Sequence, residues 1–404
     1  MKNEISSRQL ALMVSLSIFT FKMTYFPSLL FKFAGRDGIL SCVLLIIADL
    51  ISFALTITVF IKNPNISFSE FLEQRIGKIA SKIVYFLIFL FFLAKLIFLS
   101  SAGYYFARES IFQEAPYNLF IFILFAAING MFLFNLKSFS RTLELLYPII
   151  IVSLFICIAL GLTTTPLNGV TPLFQTDARS IFEGSWNSLF CFGDYLFLLP
   201  LMGKVRIDKK FKKRLFAYIA VAIALLLTFI YCFFSAFRYT GFLHQYAITD
   251  IVEFVPLSAI IENLDLFPVS LMLLLYLFHG ALFMFCMVIS IKEIFKYRKK
   301  RYDVRWALLA VNIISLILIL YIFESFDFLL FFEQKYVVWL DIACIFIIPL
   351  ICFSFSFKKI YVKNSVEKWA VKLYNEDLKW ISAPTEIKEK LRLKKKFQTR
   401  RQKT

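Results

Sequence analysis

The chain has 404 residues, of which 60% are apolar and only 18% charged, and its mean hydropathy is +0.76. A chain this apolar excludes a soluble globular protein and points to a polytopic membrane protein. The formal net charge of +18 is no sign of nucleic-acid binding either, because it is confined to alternate loops and so reads as a topology signal.

Crossing a bilayer core of roughly 30 Å takes about 20 residues of helix. Stretches of that kind predict ten spans, near Leu10–Phe31, Gly38–Ile61, Ile83–Gly103, Leu119–Phe134, Leu143–Leu162, Ser185–Met202, Phe216–Phe237, Pro268–Ile291, Trp306–Phe323 and Val337–Phe357. The fold class expected is therefore all-α and polytopic. The first span contains Lys22, and no small-residue cleavage site follows it, so it reads as a retained helix and not a signal peptide.

Within that span the run Phe21-Lys22-Met23-Thr24-Tyr25-Phe26-Pro27 places an ionisable residue and a proline at mid-depth. A charge there costs about 2.5–3.5 kcal/mol on insertion scales, so it faces a partner or a wet cavity. Proline leaves a backbone carbonyl unpaired, which membrane depth tolerates only where protein or water satisfies it. Span two carries Asp49 and span three Lys95, which could pair with each other or with Asp194 of span six, or serve helix packing; Lys95 could also snorkel outward.

Between those two spans, Ser67 and Glu70 have capping-box spacing, and Ile66 can staple onto Phe71. Phe68, Phe71, Leu72, Arg75 and Ile76 then recur at helical intervals. This predicts a short amphipathic helix on the inner surface, with Arg75, Lys78 and Lys82 toward anionic headgroups. In span five, Glu144 follows Arg141 by one turn, which predicts a local pair.

Span six repeats the pattern of span one, with Phe192-Gly193-Asp194 followed by Pro200. Lys22 lies twelve residues in from Leu10, and Asp194 nine residues from Gly203. At about 1.5 Å per residue both sit close to the midplane. The two charges could form a pair that fills a binding site when it is empty, or a structural ion pair between helices. Each could instead face water alone.

After span seven, Thr249-Asp250-Ile251-Val252-Glu253-Phe254 fits either a short helix over the outer mouth or a solvated connection, in a loop that also holds Glu262 and Asp265. His279 lies mid-span in the eighth helix, as a satisfied core histidine or a member of a proton relay. Asp341 is placed near the outer end of span ten, where water would reach it. The 51 phenylalanines are expected mostly to face lipid, and the seven cysteines to behave as small buried hydrophobes. No metal site, cofactor or catalytic residue is expected.

The loops at 1–9, 62–82, 136–142, 203–214 and 292–305, with the tail from Lys358, hold 37 of the 45 Lys and Arg; the opposite loops hold six. This bias predicts that both termini are cytoplasmic.

Several runs together resemble the spore germination permease family, the membrane-embedded B subunits of nutrient germinant receptors within the amino acid–polyamine–organocation superfamily. They are Ile5-Ser6-Ser7-Arg8-Gln9-Leu10, Arg36-Asp37-Gly38-Ile39, Ser67-Phe68-Ser69-Glu70-Phe71-Leu72 with Gly77-Lys78, and Ser140-Arg141-Thr142-Leu143-Glu144-Leu145-Leu146-Tyr147-Pro148. The likeness continues through Thr171-Pro172-Leu173-Phe174 to Phe192-Gly193-Asp194 and Leu198-Leu199-Pro200, covering spans one to eight. It implies a LeuT-like 5+5 inverted repeat with broken helices one and six, and an amino acid or similar nutrient bound between them.

Three features depart from the family pattern: the break in span one is bulky and charged, Asp194 stands where a glutamate is usual, and the tail beyond Lys358 is unusually long and basic. On this reading the binding residues are Thr20, Lys22, Thr24, Phe192, Gly193 and Asp194, with Asp49, Lys95 and His279 as coupling or structural charges. The chain divides into a permease-like domain over 1–357, with repeats near 10–162 and 180–357, and a basic cytoplasmic tail over 358–404. The resemblance also implies partner subunits A and C and the inner membrane of a spore. An ion-coupled amino-acid permease is the alternative.

Overall fold

The computed structural model describes residues 5–356, apart from 64–65, 112–113, 115, 134, 167–168, 172, 256–263, 265, 296–301 and 323–324. The basic tail, Glu262 and Asp265 lie outside the described residues, as does part of the basic loop before span nine.

Span one opens with α1 (Ser7–Leu16), whose N-terminus is closed by a capping box between Ser6 and Gln9. The α-helix stops at Leu16, a 3-10 turn covers Phe21–Met23, and the helix resumes as α2 (Phe26–Ala34). Pro27 sits in the first turn of α2, where its missing N–H leaves no bond unmade. The chain then turns through Gly35, at φ 54°, into α3 (Gly38–Lys62), which forms span two.

The predicted amphipathic helix is α4 (Phe68–Ile76), with its capping box between Ser67 and Glu70 in place. Its apolar face is covered by protein: Phe68, Phe71 and Leu72 are buried, and Phe68 packs edge-on against Tyr85 at 5.5 Å. Spans three to five are α5 (Lys78–Ser110), α6 (Tyr117–Leu133) and α7 (Asn135–Thr164).

Span six begins earlier than predicted, with α8 (Ala178–Asn187). It then loses α-helical form altogether, passing through 3-10 turns at Leu189–Cys191 and Asp194–Leu198, with Gly193 left-handed at φ 85° between them. Spans seven and eight are α9 (Phe211–Phe237) and α11 (Leu266–Phe295), separated by the short α10 (Ala247–Glu253). The second of the two readings of that segment, a solvated connection, is thereby set aside, since Ile248, Ile251 and Val252 are buried.

Span nine is α12 (Tyr302–Ile317), extended by a π-helical turn. Span ten starts eleven residues before the predicted Val337, as α13 (Phe326–Phe332), α14 (Val338–Ile342) and α15 (Ile348–Ser356) joined by π-helical turns.

Helix α5 packs along α11 through the centre of the bundle, and α1 lies between α7 and α9. Ile5–Ser6 forms a parallel bridge with Val205–Arg206, so the beginning of span one and the end of span six lie on the same side. More than half of the phenylalanines are buried inside the protein, against the expectation that most face lipid. The reason is that the central helices are apolar on every face. All seven cysteines are buried and free.

The Arg36-Asp37-Gly38 run holds the loop that leads into span six. Asp37 accepts hydrogen bonds from the Phe174 and Thr176 N–H groups, both at 2.7 Å, and from the Thr176 hydroxyl at 2.9 Å. The first of these anchors Phe174 at φ 63°, an unfavourable angle for a residue with a Cβ. Arg36 donates to the Arg238 and Thr171 carbonyls and stacks on Tyr239. Gly38 lies where a Cβ would meet the Leu30 backbone at 3.0 Å.

Burial works against the Asp37 charge, but the hydrogen bonds from Thr176 and Phe174 outweigh it and hold the carboxyl below its usual range. A carboxyl lowered in this way stabilises the fold above its unfolded-state pKa, and the contribution is lost as pH falls through the folded value. Asp37→Ala should therefore lower stability by about 1.5–3 kcal/mol per charged hydrogen bond at neutral pH, with a smaller loss in acid. Melting temperatures of both proteins across pH check this; a loss independent of pH would assign Asp37 a packing role only.

Candidate functional site

The two helix breaks meet at mid-depth, and each contributes a charge. Lys22 Nζ lies 3.5 Å from Asp194 Oδ2, and both side chains are about 3% exposed. Asp194 is shared, because Lys95 Nζ from α5 lies 3.6 Å from its other oxygen. That distance makes an ion pair without a hydrogen bond, and Asp194 Oδ1 accordingly has no hydrogen-bond partner.

Lys95 donates instead to the carbonyls of Phe190 and Phe192, the latter at 2.6 Å, so it does not snorkel outward. Aromatic rings close over both ammonium groups. Phe192 lies 4.5 Å from Lys22, while Phe91 and Phe21 lie 5.3 and 5.7 Å from Lys95.

The remaining predicted residues surround this triad. Asp49 from α3 accepts the Gly193 N–H at 3.1 Å, which secures the left-handed turn of span six. Thr20 hydrogen-bonds His279 Nδ1, so His279 ties α11 to the break in span one, while its Nε2 is buried without a partner. The Thr24 hydroxyl accepts from Tyr276 at 3.1 Å, and its carbonyl accepts the Ala247 N–H of α10 at 3.2 Å.

Toward α10 the site is closed by Tyr25, whose hydroxyl lies 3.1 Å from the Tyr246 hydroxyl and 3.3 Å from the Ala102 carbonyl, its single proton going to one of these acceptors. Lys22, Asp49, Phe192 and Tyr195 border a cavity of only about 10 Å³, room for a single water. The site is thus occluded and filled by its own side chains.

Two further acids on span ten are buried: Asp341, which the sequence placed near water, and Glu333, which the sequence reading did not single out. Asp341 is only 1% exposed, not wetted at a helix end, because span ten begins at Phe326 and carries it into the interior. Glu333 is 3% exposed on the same helix and borders a separate, mostly apolar cavity of about 450 Å³ with Leu93, Ile97 and Leu340. A span begun eleven residues earlier, at Phe326, would have taken in Glu333 and moved Asp341 away from the helix end. Glu144 also differs from expectation: its partners are Arg8 at 3.3 Å and Gln9 at 3.0 Å, at the start of α1.

Ten spans with the first and sixth interrupted at mid-depth are the architecture of LeuT-like transporters, and solved structures of that class superpose on this chain. MhsT in complex with L-phenylalanine does so with a TM-score of 0.60 at 13% identity, over 86% of this chain and 97% of that one. A Na⁺-coupled sialic acid symporter in a substrate-bound outward-open state gives 0.56 at 12%, over 83% and 79%. The nucleobase-cation-symport-1 family transporter Mhp1, closed around bromovinylhydantoin, gives 0.57 at 13%, over 87% and 77%. The fold is therefore LeuT-like. Residues 4–328 match the family described as spore germination protein, and the chain belongs to that family. Curated protein sequences yield no match.

Proposed function

We propose that the protein is a B-type subunit of a spore germinant receptor, which binds a nutrient of amino-acid type between the breaks of spans one and six and signals through A and C partner subunits. The observation that carries this reading is the Lys22–Asp194 pair, which joins the two breaks with one charge of each sign. A nutrient amino acid offers the complementary pair: its carboxylate to Lys22 and its ammonium to Asp194. Binding would then exchange the internal pair for two pairs to ligand, and a ligand shifts a two-state protein only through such differential interaction.

The likeness to transporters favours a second reading, an ion-coupled amino-acid permease. Co-purification from spore membranes with co-encoded A and C subunits supports the receptor. Uptake of amino acid by the protein alone in liposomes, with no such association, supports the permease.

The reading places residues 1–357 in the inner membrane of a spore as two repeats and leaves both termini and the basic tail in the cytoplasm, in line with the loop charge bias. Leu243 is 68% exposed beyond α9, and Lys209 is exposed on the opposite side before it. Because the native cysteines are buried, an impermeant maleimide should label Leu243→Cys in intact cells and leave Lys209→Cys unlabelled until the membrane is opened. The reverse pattern would invert the topology.

A further inference from the structure

We propose that Lys95 is a resident cation, its ammonium standing at the unwound part of span six where a soluble coupling ion would otherwise bind. In broken-helix transporters, coupling cations are held by unwound backbone carbonyls and the C-terminal ends of half-helices, whose dipoles are negative. Span six offers that set here, with the Phe190 and Phe192 carbonyls at the end of its first half and Asp194 just beyond. Lys95 Nζ takes all three, donating to both carbonyls and lying 3.6 Å from the carboxylate. It is 4% exposed, with the rings of Phe91 and Phe21 against it.

An ammonium is a compact cation: it donates here to the two carbonyls, and the carboxylate 3.6 Å away balances its charge. Being tethered to α5, it cannot dissociate down a gradient. The inference rests on the nutrient-site reading and deepens it: movement between states would be driven by nutrient alone, without sodium.

The test uses the full chain in lipid nanodiscs. Saturable binding of radiolabelled sodium and the melting temperature are measured in sodium chloride and in N-methyl-D-glucamine chloride at equal ionic strength. Wild type should bind no sodium saturably and melt equally in both salts. Lys95→Ala should melt lower in N-methyl-D-glucamine and recover saturably with sodium or methylammonium, which fit the vacated position, whereas Lys22→Met should show no such recovery. Saturable sodium binding by wild type would overturn the proposal, as would a Lys95→Ala chain that melts like wild type and gains nothing from small cations.

Should Lys95→Ala not accumulate, Lys95→Gln keeps an N–H donor for the carbonyls without the charge. That variant should melt below wild type, and unchanged melting would overturn the proposal. A panel of amino acids is assayed on the same wild-type nanodiscs. Failure of every one to bind counts against the nutrient site itself and leaves the sodium result readable on its own.

Discussion

Lys22→Met or Asp194→Asn alone should abolish the nutrient response, and the double variant should be more stable than the Asp194→Asn protein. Both residues are buried at the meeting of the two breaks, so removing Asp194 strands the charge of Lys22, and removing Lys22 takes away one of the two cations that face Asp194. Breaking a buried pair in this way costs about 3–5 kcal/mol, whereas removing both charges together is far milder. The two single variants are not equivalent. Asp194 faces both Lys22 and Lys95, so Asp194→Asn strands two ammonium groups. Lys22→Met leaves Asp194 with Lys95 as its partner.

Asp194→Asn should therefore be the more damaging to stability, and adding Lys22→Met to it should restore part of the loss. Membrane abundance and melting temperature of the three variants measure this, beside germination in response to nutrient. Normal response at normal abundance in both single variants would move the binding site elsewhere in the bundle.

Gly193→Ala should be comparably damaging, for steric reasons. Gly193 lies at φ 85°, and a Cβ there would sit 2.3 Å from Ile345 Cγ1 and 2.5 Å from its Cδ1. The left-handed conformation costs a residue with a Cβ about 1–2 kcal/mol, and overpacking a buried contact adds typically 1–3 kcal/mol. Any shift that relieves the clash also pulls the Gly193 N–H away from Asp49. Ile345→Ala in the Gly193→Ala background should recover the packing part of the loss and leave the conformational part. Full recovery would show that the left-handed turn is dispensable, and a Gly193→Ala protein that melts like wild type would contradict the packing described here.

The parts of this architecture set by local chemistry were legible in the sequence. The capping box at Ser67 rests on residues three apart, and both breaks follow from polar or glycine residues placed before Pro27 and Pro200; the box at Ser6 has the same spacing and was first seen in the structure. The Lys22–Asp194 pair could be anticipated because a charge at that depth needs a partner and few are available. Long-range choices were not legible. Asp194 is shared with Lys95, and Glu144 turns to Arg8 instead of Arg141, because helix packing decides which of several acids a cation reaches. Asp341 was misplaced for a simpler reason: Glu333 and Lys335 lower the hydropathy at the start of span ten, which hid eleven residues of helix. The tyrosine closure of Tyr25, Tyr246 and Tyr276 left no sequence signal, since its members lie on three separate elements.

Direct ligand binding tests the central claim most sharply. The full chain in nanodiscs, wild type and Asp194→Asn, is titrated with a panel of radiolabelled amino acids, with the peripheral variant Arg179→Gln as control; Arg179 is exposed and pairs only with its neighbour Glu183 among the ion pairs described. A nutrient site between the breaks predicts saturable binding of at least one amino acid by wild type and Arg179→Gln, and its loss in Asp194→Asn. Equal binding by a folded Asp194→Asn protein would place the ligand outside the meeting point of spans one and six.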